Sequence, residues 1–185
     1  MSVSTSNKLN GQNTIQFSDG NLVQILLPSF TITNNALSVS FWIYLNNASA
    51  STPIFLFAPN SGSSGNNMLA LWAYNSGAIL TACFDNNSNN NGSIIGIFSY
   101  NTWHHICMII SPNKFYYYVD NVAILNTTTS YIPPSNFTYN DNQIGAAPYR
   151  VTDTLNYGNY NIANFRVYNC ALTPDEINKL YILQI

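Results

Sequence analysis

Short apolar runs alternate along this chain with clusters of Asn, Gly, Ser and Pro. Runs rich in Val, Ile, Phe, Tyr and Trp occupy residues 14–17, 22–27, 37–45, 54–57, 68–74, 78–84, 93–99, 103–111, 114–119, 122–125 and 161–168. Between them lie Ser18-Asp19-Gly20, Asn46-Asn47, residues 60–67, Asn75-Ser76-Gly77, residues 85–92, Pro112-Asn113 and Asp120-Asn121. Gly supplies a positive φ in such turns, and Asn and Asp tolerate one while bonding their own backbone. Many short strands at this spacing predict an all-β sandwich or barrel. Asp120-Asn121, flanked by apolar runs, predicts a two-residue hairpin, and Asn75-Ser76-Gly77 a three-residue one. The stretch 85–92 reads as an exposed loop tip.

One helix is predicted, after Thr173. Thr173-Pro174-Asp175-Glu176 is a capping box with Pro at the first helical position. Ile177, Leu180 and Tyr181 then share one face at helical spacing. In residues 103–110 the strand period puts Trp103, His105, Cys107 and Ile109 on one face, and His104, Ile106, Met108 and Ile110 on the other. Both faces are largely apolar, which predicts an inner strand covered on both sides. Each His then reads as an imidazole satisfied by a backbone or Tyr partner. The whole chain, 1–185, is read as one domain, with residues 1–8 as a flexible tail.

Composition narrows the function. Only 6% of the 185 residues are charged and the formal charge is -2, while Asn accounts for 30 residues. Such a surface is hydrated but nearly without a field. It lacks the cations that drive nucleic-acid binding or polybasic attachment to a membrane. No run approaches the roughly 20 apolar residues of a membrane span, and the polar start, Met1 to Asn13, does not read as a signal peptide. These features predict a cytoplasmic or virion-associated protein. Cys83, Cys107 and Cys170 are distant from one another, which argues for free thiols in a reducing compartment. The five sequons, at Asn47, Asn86, Asn91, Asn126 and Asn136, are expected by chance in such a composition.

Three segments together resemble the laminin-G-like family. The first runs from Thr14-Ile-Gln-Phe-Ser-Asp-Gly20 through residues 23–27 to Leu37-Ser-Val-Ser-Phe-Trp-Ile-Tyr44. The second joins Thr102-Trp-His-His-Ile-Cys-Met-Ile-Ile110 to Phe115-Tyr-Tyr-Tyr-Val-Asp-Asn121, with Asn121 where Gly is usual. The third is Asn161-Ile-Ala-Asn-Phe-Arg-Val-Tyr-Asn-Cys-Ala-Leu-Thr-Pro-Asp-Glu-Ile177. The resemblance spans residues 9 to 181. It implies an all-β, two-sheet antiparallel jelly-roll sandwich of the concanavalin A-like type with a short C-terminal helix. It also implies a structural calcium ion, held through Asp19. Ala163 and Asn164 stand where the family has an acidic pair, so the metal site lacks charge and the reading without a cofactor is preferred.

Glycoside hydrolases are among the relatives of this fold, and they need two carboxyl groups flanking the scissile bond. This chain has a single Glu, Glu176, already engaged in the helix cap. Asp19, Asp85, Asp120, Asp141 and Asp153 sit in turn chemistry, and no nucleophile elbow is present. The chain therefore reads as a non-catalytic binding module for glycans or a protein surface. Sugar recognition pairs flat aromatic faces with amides and hydroxyls. Candidate platforms are Trp72 and Tyr74 on one strand face, Tyr116 and Tyr118 on another, and Tyr100, Tyr149 and Tyr157. Asn142, Gln143 and Arg150 are the candidate polar contacts. Trp42 and Trp103 are assigned to the interior. The alternative is a structural component of a virus particle or another large assembly, packed through neutral Tyr-rich surfaces.

Overall fold

The computed structural model describes residues 2–18, 24–47, 52–60, 68–73, 78–84, 93–97, 99–128, 135–145 and 159–183, with side chains for all of these except 2–7, 47, 78–84, 93–97 and 125–128. In chain order the strands are β1 (Ser2–Leu9), β2 (Gln12–Phe17), β3 (Ile25–Leu27), β4 (Phe30–Ile32), β5 (Leu37–Asn47), β6 (Thr52–Ala58), β7 (Met68–Ala73) and β8 (Ala78–Phe84). They continue as β9 (Ser93–Ile97), β10 (Trp103–Ser111), β11 (Lys114–Val119), β12 (Val122–Thr128), β13 (Phe137–Tyr139), β14 (Asp141–Ile144) and β15 (Asn159–Tyr168), and α1 (Pro174–Ile182) follows. A seven-stranded sheet runs β1-β2-β15-β5-β10-β11-β12, a six-stranded sheet runs β3-β14-β6-β7-β8-β9, and β13 pairs with β4 alone. Every strand pair is antiparallel. This is a jelly-roll sandwich with one short C-terminal helix.

The period of two explains the core. Leu37, Val39, Phe41, Ile43 and Leu45 of β5 point inward with Ile106, Met108 and Ile110 of β10. They meet Phe55 and Phe57 of β6 and Leu69 and Leu71 of β7 from the other sheet. The opposite face of the seven-stranded sheet carries Cys107 and Ile109, which are covered by Leu172 and by Ile177 and Leu180 of α1. β10 is thus covered on both sides, as its pattern requires.

Turn chemistry accounts for part of the Asn content. Among the described residues, the non-Gly positions with positive φ are Asn10, Asn35, Asn101, Asn113, Asn121, Asn136, Asn164 and Asp120. Asp120 and Asn121 have φ of 49° and 64°, and Val119 pairs with Val122 across them. Positive φ at both central residues is the type I′ hairpin, which Asn can enter in place of Gly because it tolerates the left-handed region.

The strands differ from the sequence reading in particular places. Residues 2–9, read mostly as tail, pair with β2 as an edge strand. β4, β13 and β14 fall in stretches read as connections. The polar β14 is a strand because β3 and β6 flank it and satisfy its backbone. The three-residue turn at 75–77 and the loop tip at 85–92 lie outside the described residues.

Candidate functional site

A groove of about 400 Å³ opens on the outer face of the seven-stranded sheet, beside the start of α1. Its floor is Ile109, Ser111, Tyr116 and Tyr118, and its wall is Ala171, Leu172, Thr173 and Pro174. Tyr116 and Tyr118 share a face because they are two apart on β11. Their rings are half-buried against the cluster of Cys107, Ile109, Leu172 and Ile177. The Lys114 ammonium stands 5.9 Å from the centroid of the Tyr116 ring, within reach of a cation–π contact that favours one ring orientation.

Local bonds set the wall. Ser38 Oγ donates to Cys170 O at 2.7 Å and accepts from Leu172 N–H at 3.0 Å, pinning this segment to β5. The capping box then starts the helix: Thr173 N–H donates to Glu176 Oε2 at 2.8 Å, and Glu176 N–H donates to Thr173 Oγ1 at 3.4 Å. The Thr173 backbone and side-chain hydrogen bonds hold the Glu176 carboxyl below its ordinary value. The sequence reading found the two Tyr but missed Ser111, Leu172, Thr173 and Pro174 as their neighbours. The capping box was legible; its docking beside β11 was not.

The other expected contacts distribute differently. Trp72 is only 4% exposed, enclosed with Leu56, Ala58, Met68 and Ala70, so it is no open platform. Asn142 and Gln143 are buried as well. Asn142 Nδ2 donates to Pro28 O at 2.9 Å and Tyr139 O at 3.0 Å, and Gln143 Nε2 donates to Asp141 Oδ1 at 2.6 Å. These amides became interior because β14 is the second strand of its sheet. Tyr100 packs partly buried against the main core. Tyr74, Tyr149, Arg150, Tyr157 and Asp19 lie outside the described residues. Among the described residues no group of three or more His, Cys, Asp or Glu could hold a metal ion. In β15, Asn164 adopts φ 53° within the register shift between Ala163 and Arg166.

The two His have side-chain partners other than those expected. Ser99 Oγ lies 2.9 Å from His104 Nε2, and His104 Nδ1 lies 2.7 Å from Asp120 Oδ2. The order and distances match a hydrolytic triad. Asp120 Oδ1, however, accepts from His105 N–H at 2.8 Å, while Asp120 N–H donates to His105 O at 2.9 Å. The carboxylate is thus built into the β11–β12 turn. We assign this chain of bonds to the hairpin. His105 is fully buried, with Nε2 2.9 Å from Ser40 Oγ.

A second cleft, of about 280 Å³, is apolar and lies where β15 meets the β3–β4 connection, lined by Leu27, Pro28, Phe30, Phe165 and Val167, with Thr31 and Asn169 at its rim.

The sandwich, its capped helix and the matching of residues 12–178 to the profile of the concanavalin A-like lectin/glucanases superfamily decide the family. The chain belongs to the concanavalin A-like lectin/glucanase superfamily. No curated protein matches it by sequence. Among solved structures, this superfamily member is similar to the NanB sialidase of Streptococcus pneumoniae, at 12% identity and TM-score 0.69, over 89% of this chain and 27% of that one. It is also similar to domain 4 of AbnA, a GH43 extracellular arabinanase of Geobacillus stearothermophilus in complex with arabinotriose, at 17% identity and TM-score 0.65, over 95% and 85% of the two chains. A third is the ligand binding domain of botulinum neurotoxin serotype D in complex with N-acetylneuraminic acid, at 18% identity and TM-score 0.64, over 87% and 39%. The chain spans about a quarter of the sialidase. At such identities the likeness is one of fold.

Proposed function

We propose that this protein is a glycan-recognition module that binds without turnover, through the groove of Tyr116 and Tyr118. The observation that carries this reading is the chemistry of the lining. It combines aromatic rings with the hydroxyls of Ser111, Tyr116 and Tyr118 and an apolar wall, and none of its lining residues is acidic. A sugar ring offers the complementary surfaces, an apolar face and a rim of hydroxyls. Support comes from the relatives of similar fold solved with arabinotriose and N-acetylneuraminic acid. The test is a glycan array followed by titration of its best responder. Tyr116→Ala and Tyr118→Ala should each weaken binding about tenfold or more, as loss of an aromatic anchor does, with the protein still folded by circular dichroism. Binding should be nearly insensitive to salt, since few charges are neutralised. Oligosaccharide cleavage that disappears on changing any Asp to Asn would overturn the reading.

A structural role in a virus particle or other assembly is the second reading. What favours it is apolar surface at the two sheet edges: Val122 and Ile124 on β12 are 60% and 47% exposed, and Leu26 on β3 is 66% exposed. Uncovered edges of this kind invite pairing with another chain. Native mass measured beside the array separates the two readings.

A further inference from the structure

We infer that α1 is an acid-released latch beside the groove: protonation of His105 beneath the helix releases it from the sheet, leaving Thr173 and Pro174 of the wall without support beyond the Ser38-bound Leu172. The inference rests on the groove being the ligand site.

Leu180 packs α1 onto Cys107 and Ile109, and Leu172, just before the helix, joins the same cluster and is bonded through its N–H to Ser38 Oγ. Ile177 is fully buried. Asn121 Nδ2 donates to Asn178 Oδ1 at 2.8 Å, and Tyr181 stacks on Trp42 with ring centroids 5.6 Å apart. His105 lies in the same aromatic group, 5.3 Å from Trp42 and 6.0 Å from Tyr181 between centroids. His105 Nε2 has Ser40 Oγ, but its Nδ1 is buried without a hydrogen-bond partner, as is Trp42 Nε1. Neutral imidazole can leave one nitrogen unpaired. Imidazolium carries N–H on both, and here the second N–H would be buried without an acceptor.

The charges around His105 do not rescue the cation. From β15, Arg166 opposes it. From the β11–β12 turn, Asp120 favours it, yet both carboxylate oxygens are already engaged by His105 N–H and His104 Nδ1. From β5 come only Trp42 and Ser40. From α1 comes Tyr181, while Asp175, Glu176 and Lys179 are exposed. Burial accordingly lowers the imidazole from 6.5 to about 4, with Asp120 pulling upward and Arg166 pushing down. Released, the imidazole titrates normally, so the open state gains about thirtyfold on the closed state between pH 7.5 and 5. Glu176 is held below its ordinary value and stays ionised at pH 5, so the cap is not the part that yields. A helix of 9 residues is marginal on its own. Once lifted, α1 unravels and the Thr173–Pro174 end of the wall loses its support.

The experiment is amide hydrogen exchange of residues 174–182 by mass spectrometry at pH 7.5 and 5.0, corrected for intrinsic rates, on wild type, His105→Phe and His105→Gln. The Gln variant covers the case in which Phe packs poorly. The expected result is a roughly thirtyfold loss of protection in wild type at pH 5, and little change in the variants. Equal protection at both pH values, or equal loosening in all three proteins, would overturn the latch. The glycan array washed at the same two pH values reads the groove. Signal lost at pH 5 by wild type and kept by His105→Gln supports control of binding, and signal kept by wild type while the helix opens refutes it. A blank array at pH 7.5 with the helix opening as described counts against the glycan reading and not against the latch.

Discussion

Asp120 is the residue at which a structural and a catalytic reading of the same geometry part, and its replacement series tells them apart. Three effects converge there. Its φ of 49° lies in the left-handed region, where a non-Gly residue such as Ala costs roughly 1–2 kcal/mol. Its Oδ1 satisfies the His105 N–H, and leaving a buried donor orphaned costs about 1–3 kcal/mol. Its Oδ2 meets His104 with the side chains 34% and 15% exposed, a partly solvated pair worth at most about 1 kcal/mol. Asp120→Ala should therefore destabilise by about 4 kcal/mol. Asp120→Gly keeps the backbone and loses the acceptor, for about 2 kcal/mol. Asp120→Asn keeps both the acceptor and the tolerance of positive φ, for about 1 kcal/mol or less. Urea unfolding with an unchanged slope measures each value. If Asn is as costly as Ala, charge rather than turn geometry is the dominant role, and the hairpin assignment fails. Labelling of Ser99 by a fluorophosphonate, abolished in His104→Asn, would refute it from the other side.

The remaining predictions concern the helix, the thiols and pH. Thr173→Ala removes the N-cap acceptor and should cost about 1 kcal/mol in thermal or urea unfolding, with the added exchange confined to α1; an unchanged protein would mean the cap does not hold the wall. Native alkylation at pH 8 should modify exposed Cys170 and spare buried Cys107, whose thiol burial pushes up to about 12; peptide mapping that finds Cys107 equally modified would contradict its place under α1. Because burial lowers His105 from 6.5 to about 4 in the folded protein, its contribution to stability is complete above pH 6.5 and is lost as pH falls through 4. The loss is about 3 kcal/mol. Urea midpoints across that window should fall in wild type, and the fall should be shallower in His105→Gln.

The strands that bury one or both faces were legible because their side chains alternate. β10 and β11 run over the residues their patterns mark, and the capping box at Thr173 starts α1 at Pro174. These are local properties: period, turn residues and caps act within a few positions of themselves. Tertiary structure decided which periodic faces stay open. Trp72 and Tyr118 both sit in strands, yet Trp72 is buried among Leu56, Ala58, Met68 and Ala70, whereas α1 covers only part of the face that carries Tyr118. It also decided that the polar residues of β14 are interior, since two neighbouring strands supply the backbone bonds that its composition does not ask for. The meeting of Ser99, His104 and Asp120, and the burial of His105 under Tyr181, depend on antiparallel register and on where a helix more than 60 residues downstream comes to rest. Long-range packing of that kind leaves no periodic trace in the chain.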